Sequence, residues 1–214
     1  MKKLFITLIL LTLSMSVSVS SYAKDGWLCS AEFVSSDGYI ATASHCVGTT
    51  MEVYYKKDGA VKSEPAKLIA IDKTHDVALL KIEEKQMPYF TFDYNYQIGD
   101  KITVWGWPNV NVYGMALKHY TGRITSLDEN SIYIYSFIAH GMSGGALVDL
   151  DGRQIGVTVA GLFSGVDEGS TAQGVITRIE YLQLLMIQQG VITLPTIGND
   201  NTPNKMVFLT GTNE

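Results

Sequence analysis

Short segments rich in Val, Ile, Thr and Tyr recur along most of this chain, and turn signals separate them. Strand candidates cover residues 32–34, 39–43, 51–55, 67–71 and 77–82, then 101–105, 121–126, 132–135, 145–149, 155–160 and 174–177. Several alternate apolar with polar, most clearly Ser131-Ile132-Tyr133-Ile134-Tyr135, the period of a strand with one buried face. The punctuation is Asp37-Gly38, Asp58-Gly59, Gly99-Asp100 and Asp151-Gly152, the last read as a tight hairpin. One helix is expected, late in the chain. Thr177-Arg178-Ile179-Glu180 reads as a capping box, apolar residues follow at Ile179, Leu182, Leu185 and Met186, and Gly190 stops it. Strands at regular spacing without intervening helices predict an all-β chain of antiparallel barrels or a sandwich and exclude a parallel α/β sheet.

The amino terminus does not belong to that pattern. Met1-Lys2-Lys3 is a short positive start, Leu4 to Leu13 is almost unbroken apolar sequence, and Ser21-Tyr22-Ala23 places small residues where a cleavage site needs them. Residues 1–23 are therefore read as a signal peptide, and Ser14, Ser16, Ser18 and Ser20 break the run against an anchor reading. The mature chain is expected to be secreted or periplasmic, with no membrane anchor after cleavage. The 214 residues carry a net charge of −5 with 17% charged residues, which disfavours nucleic acid as a partner because phosphate binding needs clustered Lys and Arg. In an oxidising compartment the two cysteines, Cys29 and Cys46, most simply pair with each other, at about 3 kcal/mol of stabilisation in the chain-entropy model. The alternative is a reactive thiol.

Chemistry enters at Gly141-Met142-Ser143-Gly144-Gly145. A serine in a glycine-rich turn is exposed, and neighbouring backbone N–H groups can converge on a developing oxyanion. The same residues satisfy the G-x-S-x-G elbow of α/β-hydrolases, which needs its histidine after the serine. All four histidines, His45, His75, His119 and His140, precede Ser143, so the order excludes that reading. A His, Asp, Ser order remains. His45 ends a strand beside Cys46, and Asp76 precedes the apolar Val77-Ala78-Leu79-Leu80, where its carboxylate can accept the Nδ1–H of the imidazole. Asp72 competes for that role but has no apolar strand directly after it.

These blocks resemble the chymotrypsin/trypsin-like serine peptidases. Thr42-Ala43-Ser44-His45-Cys46, Asp76-Val77-Ala78-Leu79-Leu80 and Gly141-Met142-Ser143-Gly144-Gly145 look like that family's T-A-x-H-C, D-I-A-L-L and G-x-S-G-G motifs, in the family's order. Gly174-Val175-Ile176-Thr177-Arg178 is similar to the segment before its C-terminal helix, and residues 155–161 to the strand that pairs with substrate. Compact bacterial members, the high-temperature-requirement (HtrA) proteases, look most alike, and with only 24 residues after Gly190 a PDZ module is not expected. The resemblance implies two packed antiparallel six-stranded β-barrels with a C-terminal helix. Residues 24–100 would form an N-terminal barrel with His45 and Asp76, 101–190 a C-terminal barrel with Ser143, and 191–214 a polar tail.

The implied activity is a serine endopeptidase acting on protein or peptide substrates through His45, Asp76 and Ser143, without cofactor or metal. The N–H groups of Gly141 and Ser143 would form the oxyanion hole. Met142 stands where zymogens of the family carry an activating Asp, so activity is expected without that switch. Val159 stands where many relatives place a Ser beside the Asp, and Ser44 or backbone N–H groups are expected to compensate. Phe137, Ile138, Thr158, Gly161 and Gly174 map to the substrate pocket. No acidic residue at 137 and no His at 158 predict an apolar P1 preference. His75 and His119 are expected to face solvent, and His140 to lie near substrate. The competing reading is a catalytically silent binding module on the same fold.

Overall fold

The computed structural model describes residues 26–108, 114, 116–161, 170–191 and 202–213. The expected signal peptide lies outside these residues. Two antiparallel sheets carry the fold. The first takes β1 (Gly26–Phe33), β2 (Tyr39–Thr42), β3 (Thr50–Lys57), β4 (Ala60–Pro65), β5 (Lys67–Asp72) and β6 (Val77–Lys81). The second takes β7 (Lys101–Gly106), β8 (Lys118–Leu127), β9 (Ser131–Ala139), β10 (Ala146–Val148), β11 (Gln154–Gly161) and β12 (Ser170–Arg178). Helix α1 (Ile179–Gln188) follows, then a helical turn α2 (Thr202–Lys205) and β13 (Met206–Thr212).

The second sheet closes into a six-stranded barrel in the order β10-β11-β12-β9-β8-β7. Its interior follows from alternation. Along β9 the buried positions Ile132, Ile134 and Ile138 point inward and meet Ile102, Ile124, Leu147, Ile155 and Ile176 from the other strands. Each such side chain contributes about 1.5–3 kcal/mol when fully buried.

The first sheet departs from the expected closed, six-stranded form. It has seven strands, ordered β4-β3-β13-β1-β2-β6-β5, and curls as a half-barrel. The added strand is β13, in the segment expected to be a polar tail. It lies between β1 and β3, with Leu209 opposite both Cys29 and Val53. Met206-Val207-Phe208-Leu209 is buried along its whole length, so it reads as a short apolar run instead of an alternating strand. Strand β4 was likewise not expected, because its side chains are almost all exposed and its place is set only by the ladder to β3.

Helix α1 belongs to the second half of the sequence but covers the first sheet. Ile179, Leu182, Leu185 and Met186 pack with Val34, Ala41, Val77 and Leu79. Gly190 ends it at φ +69°, as expected. The capping box does not form. Arg178 is the N-cap without a side-chain bond, and the Thr177 hydroxyl donates to the His75 carbonyl because the helix starts directly from β12.

Candidate active site

The segment after β2 is a single 3₁₀ turn, Ser44–Cys46, which brings His45 to the end of the first sheet. Cys46 is disulfide-bonded to Cys29 of β1, which ties that turn to the sheet. Both predicted acids then find a histidine. Asp76 Oδ2 lies 2.7 Å from Nδ1 of His45. Asp72 Oδ2 lies 2.6 Å from Nδ1 of His75, whose ring stacks on Tyr181 at 3.5 Å instead of facing solvent.

Asp72 is held as firmly as Asp76, its Oδ1 accepting the Thr74 and His75 backbone N–H groups at 2.9 and 3.1 Å. What sets Asp76 apart is that its histidine lies against the disulfide beside the Ser143 turn. Asp76 Oδ1 accepts the Ser44 hydroxyl at 2.7 Å and the His45 backbone N–H at 2.9 Å. Ser44 and a backbone amide thus supply the donors expected to offset Val159. Asp76 sits at φ +53°, in the left-handed region that Asp tolerates better than most residues. Burial pushes its carboxyl up, but the bonds from His45 and Ser44 and the charge of His45 outweigh that and hold it below the usual range. With a carboxylate at Nδ1, that nitrogen carries the proton, and in the neutral form of the ring Nε2 is the acceptor.

Ser143 comes from the other sheet, on the turn between β9 and β10. Its carbonyl accepts the Ser30 N–H of β1 at 2.8 Å. A ring nitrogen of His45 lies within 4.8 Å of both cysteine sulfurs, and Cys46 Sγ lies 3.8 Å from the Ser143 carbonyl. The disulfide is therefore wedged between histidine and serine turn. Gly144 explains part of the motif: at φ +81°, a Cβ there would fall 2.1 Å from the Ser30 carbonyl and 2.2 Å from Thr42 Oγ1. The turn is also laced to β11, where Gly144 N–H donates to the Thr158 carbonyl and Thr158 N–H to the Gly145 carbonyl. The Ser143 hydroxyl donates to the Val159 carbonyl at 3.4 Å.

The positions expected to form the substrate pocket divide. Gly161 and Gly174 face each other between β11 and β12, and a Cβ on Gly174 would fall 2.8 Å from Ile138 Cγ1. Thr158, opposite Ile176 on the same ladder, is fully buried. Phe137 packs tilted against Tyr120, ring centres 4.4 Å apart, and lines an open depression with Lys101, Arg123, Tyr135 and Leu150. His119 is exposed and packs beside Trp105.

Sequence reasoning missed Ser30, which grips the serine turn from β1. Nothing local signals it, because one of its partners, Gly141, lies 111 residues away.

A closed barrel thus meets a curled sheet, with the His–Asp pair on the sheet and a glycine-cradled serine on the barrel. A family model described as trypsin-like peptidase domain matches residues 29–157, and the chain belongs to that family. Among curated proteins it is 32% identical over 136 residues to one named "Probable periplasmic serine endoprotease DegP-like" from Chlamydia pneumoniae, covering 59% of this chain and 27% of that protein. A protein of the same name from Bartonella henselae is 33% identical over 141 residues, with 60% and 27% covered. The chain thus spans about a quarter of the length of these relatives. Among solved structures, the HtrA-type protease AlgW with a tripeptide aligns at TM-score 0.65 and 26% identity, covering 78% of this chain and 59% of that one. The MamO protease domain from Magnetospirillum magneticum aligns at TM-score 0.61 over 74% of this chain and 93% of that one, at 19% identity a likeness of fold.

Proposed function

We propose that this chain is an exported serine endopeptidase, working in the periplasm or outside the cell, with His45, Asp76 and Ser143 as its triad. The observation that carries the reading is the place of the His45–Asp76 pair, with the ring of His45 against the Cys29–Cys46 disulfide and Cys46 Sγ 3.8 Å from the carbonyl of Ser143. Residues 24–100 supply the acid and base, and 101–190 supply the nucleophile.

In this reading Ser143 Oγ attacks the scissile carbonyl while His45 Nε2 takes its proton, and Asp76 holds the imidazole in the tautomer that leaves Nε2 free. The N–H groups of Gly141 and Ser143 stabilise the oxyanion. His45 then returns the proton to the leaving amine, and water hydrolyses the acyl-enzyme by the same route. No acidic side chain stands among Ile138, Thr158, Gly161 and Gly174, which supports an apolar P1 residue on a protein or peptide substrate. The periplasmic names of the relatives and the leader-like residues 1–23 support export.

Covalent labelling by a fluorophosphonate tests the reading. Ser143 is expected to be modified in the wild type, with no label in Ser143→Ala and a fall in kcat on the order of 10⁶-fold on an apolar peptide substrate. A folded wild type that neither labels nor cleaves would instead be a silent binding module. Dominant cleavage after Arg, Lys or Glu would overturn the pocket assignment.

A further inference from the structure

The geometry points to Ser30 as the positioning residue that sets the oxyanion turn, an inference that rests on the protease reading above. Ser30 lies on β1, is fully buried, and faces the turn of the other sheet. Its hydroxyl donates to the Gly141 carbonyl at 2.8 Å and accepts the Trp107 N–H at 2.8 Å. Because Trp107 supplies the donor on one side, the hydroxyl proton is committed to Gly141. The backbone N–H of Ser30 donates to the Ser143 carbonyl at 2.8 Å. One residue therefore holds both ends of Gly141–Ser143, whose N–H groups are the proposed oxyanion donors.

What it fixes is a peptide plane. The unit joining Gly141 and Met142 lies between the two donors, and it is pinned at its carbonyl by Ser30 Oγ and at its N–H by the Ala139 carbonyl, 3.1 Å away. Gly141 sits at φ +89°, where glycine has neighbouring backbone states that side chains would forbid, so the plane has freedom to rotate unless it is held. Ser30 is itself held, its carbonyl accepting the Thr42 hydroxyl at 2.9 Å. The anchor thus belongs to the same segment that carries His45, so base and oxyanion donors are referenced to one strand pair. Electrostatic stabilisation requires donors that are aimed before the charge develops. Ser30 performs that aiming without touching substrate.

The test compares wild type, Ser30→Ala and Ser30→Thr on a peptide substrate with an apolar P1 residue. Alanine removes the bond to Gly141, and kcat is expected to fall on the order of tenfold or more, short of the roughly 10²–10³-fold that follows loss of a donor itself. KM stays unchanged, and Ser30→Thr, which keeps the hydroxyl, recovers most of kcat. Affinity for a peptide boronic acid, a tetrahedral mimic, falls in step with kcat, while affinity for the cleaved product peptide does not. General loosening would weaken both. Rates are expressed per folded molecule, counted by near-ultraviolet circular dichroism, and Ser30→Gly provides a second deletion of the hydroxyl if the alanine variant is poorly folded. A folded variant with unchanged kcat and unchanged boronate affinity overturns the role of Ser30 and leaves the protease reading intact. A wild type without activity or labelling overturns both.

Discussion

Asp76 holds His45 at two points, taking the ring nitrogen on one carboxylate oxygen at 2.7 Å and the backbone N–H on the other at 2.9 Å. A ring held only at its tip can pivot about its own backbone. Here the acid fixes both, and the Ser44 hydroxyl shares the second oxygen.

Asp76→Asn is expected to leave the fold intact and lower kcat on the order of 10⁴-fold, because the amide can present its N–H to Nδ1 and favour the wrong tautomer. Steady-state hydrolysis of an apolar peptide measures it. A loss of less than tenfold would remove Asp76 from the triad.

The pH dependence of that pair has a definite sign. A carboxyl held below its ordinary value stabilises the folded state above the unfolded value of about 3.9, and that stabilisation is lost as pH falls through the folded value. Ser44→Ala removes one of the bonds that lower Asp76, so acid loss of activity is expected to begin at higher pH than in the wild type. Activity after brief acid exposure, followed as a function of pH, reads the shift. Superimposable curves would mean that Ser44 contributes nothing.

Glu32 carries the opposite sign. It is fully buried, its Oε1 accepts Gln154 Nε2 at 2.6 Å between the two sheets, and burial holds its carboxyl well above the usual range. Between the unfolded and folded values the folded state binds the extra proton, so stability falls with rising pH by at most about 1.4 kcal/mol per pH unit from this group. Glu32→Gln keeps an acceptor for Gln154 and cannot ionise. It is expected to raise stability at pH 7 and flatten the slope, as read by urea midpoints from pH 5 to 7. An equal slope in both proteins would contradict this.

Cys46→Ser is expected to cost about 2–5 kcal/mol, the usual range for a native disulfide in a small exported domain. It should also lower activity per folded molecule, because the Cys29–Cys46 bond sits against both His45 and the Ser143 carbonyl. Thermal unfolding with and without reductant, paired with kcat, separates the two effects.

Leu209→Ala is expected to destabilise by about 2–5 kcal/mol, since Leu209 is fully buried in β13 between β1 and β3. Deletion from residue 202 onward would leave β1 and β3 without the strand that joins them and is expected to abolish cooperative unfolding. A truncated chain with wild-type stability would show that β13 is dispensable.

Much of this protein is local in its sequence. Alternation in β9 gave its buried face, and the Gly residues around Ser143 announced a turn that only small residues fit. The order of His45, Asp76 and Ser143 excluded a competing hydrolase fold before any geometry was known. Those features depend on spacing along a few residues, which the chain carries whatever it packs against. What lay beyond the sequence was set by partners far apart in it. The run 206–209 became a central strand only because β1 and β3 offered it two open edges, and Thr177 gave up its helix cap for a carbonyl 102 residues away. Ser30 acquired its place because folding brought Gly141 and Trp107 to opposite sides of its hydroxyl. Residue identities fixed which chemistry was on hand, and tertiary structure decided which groups would hold it in position, because a hydrogen bond is specified by both of its partners.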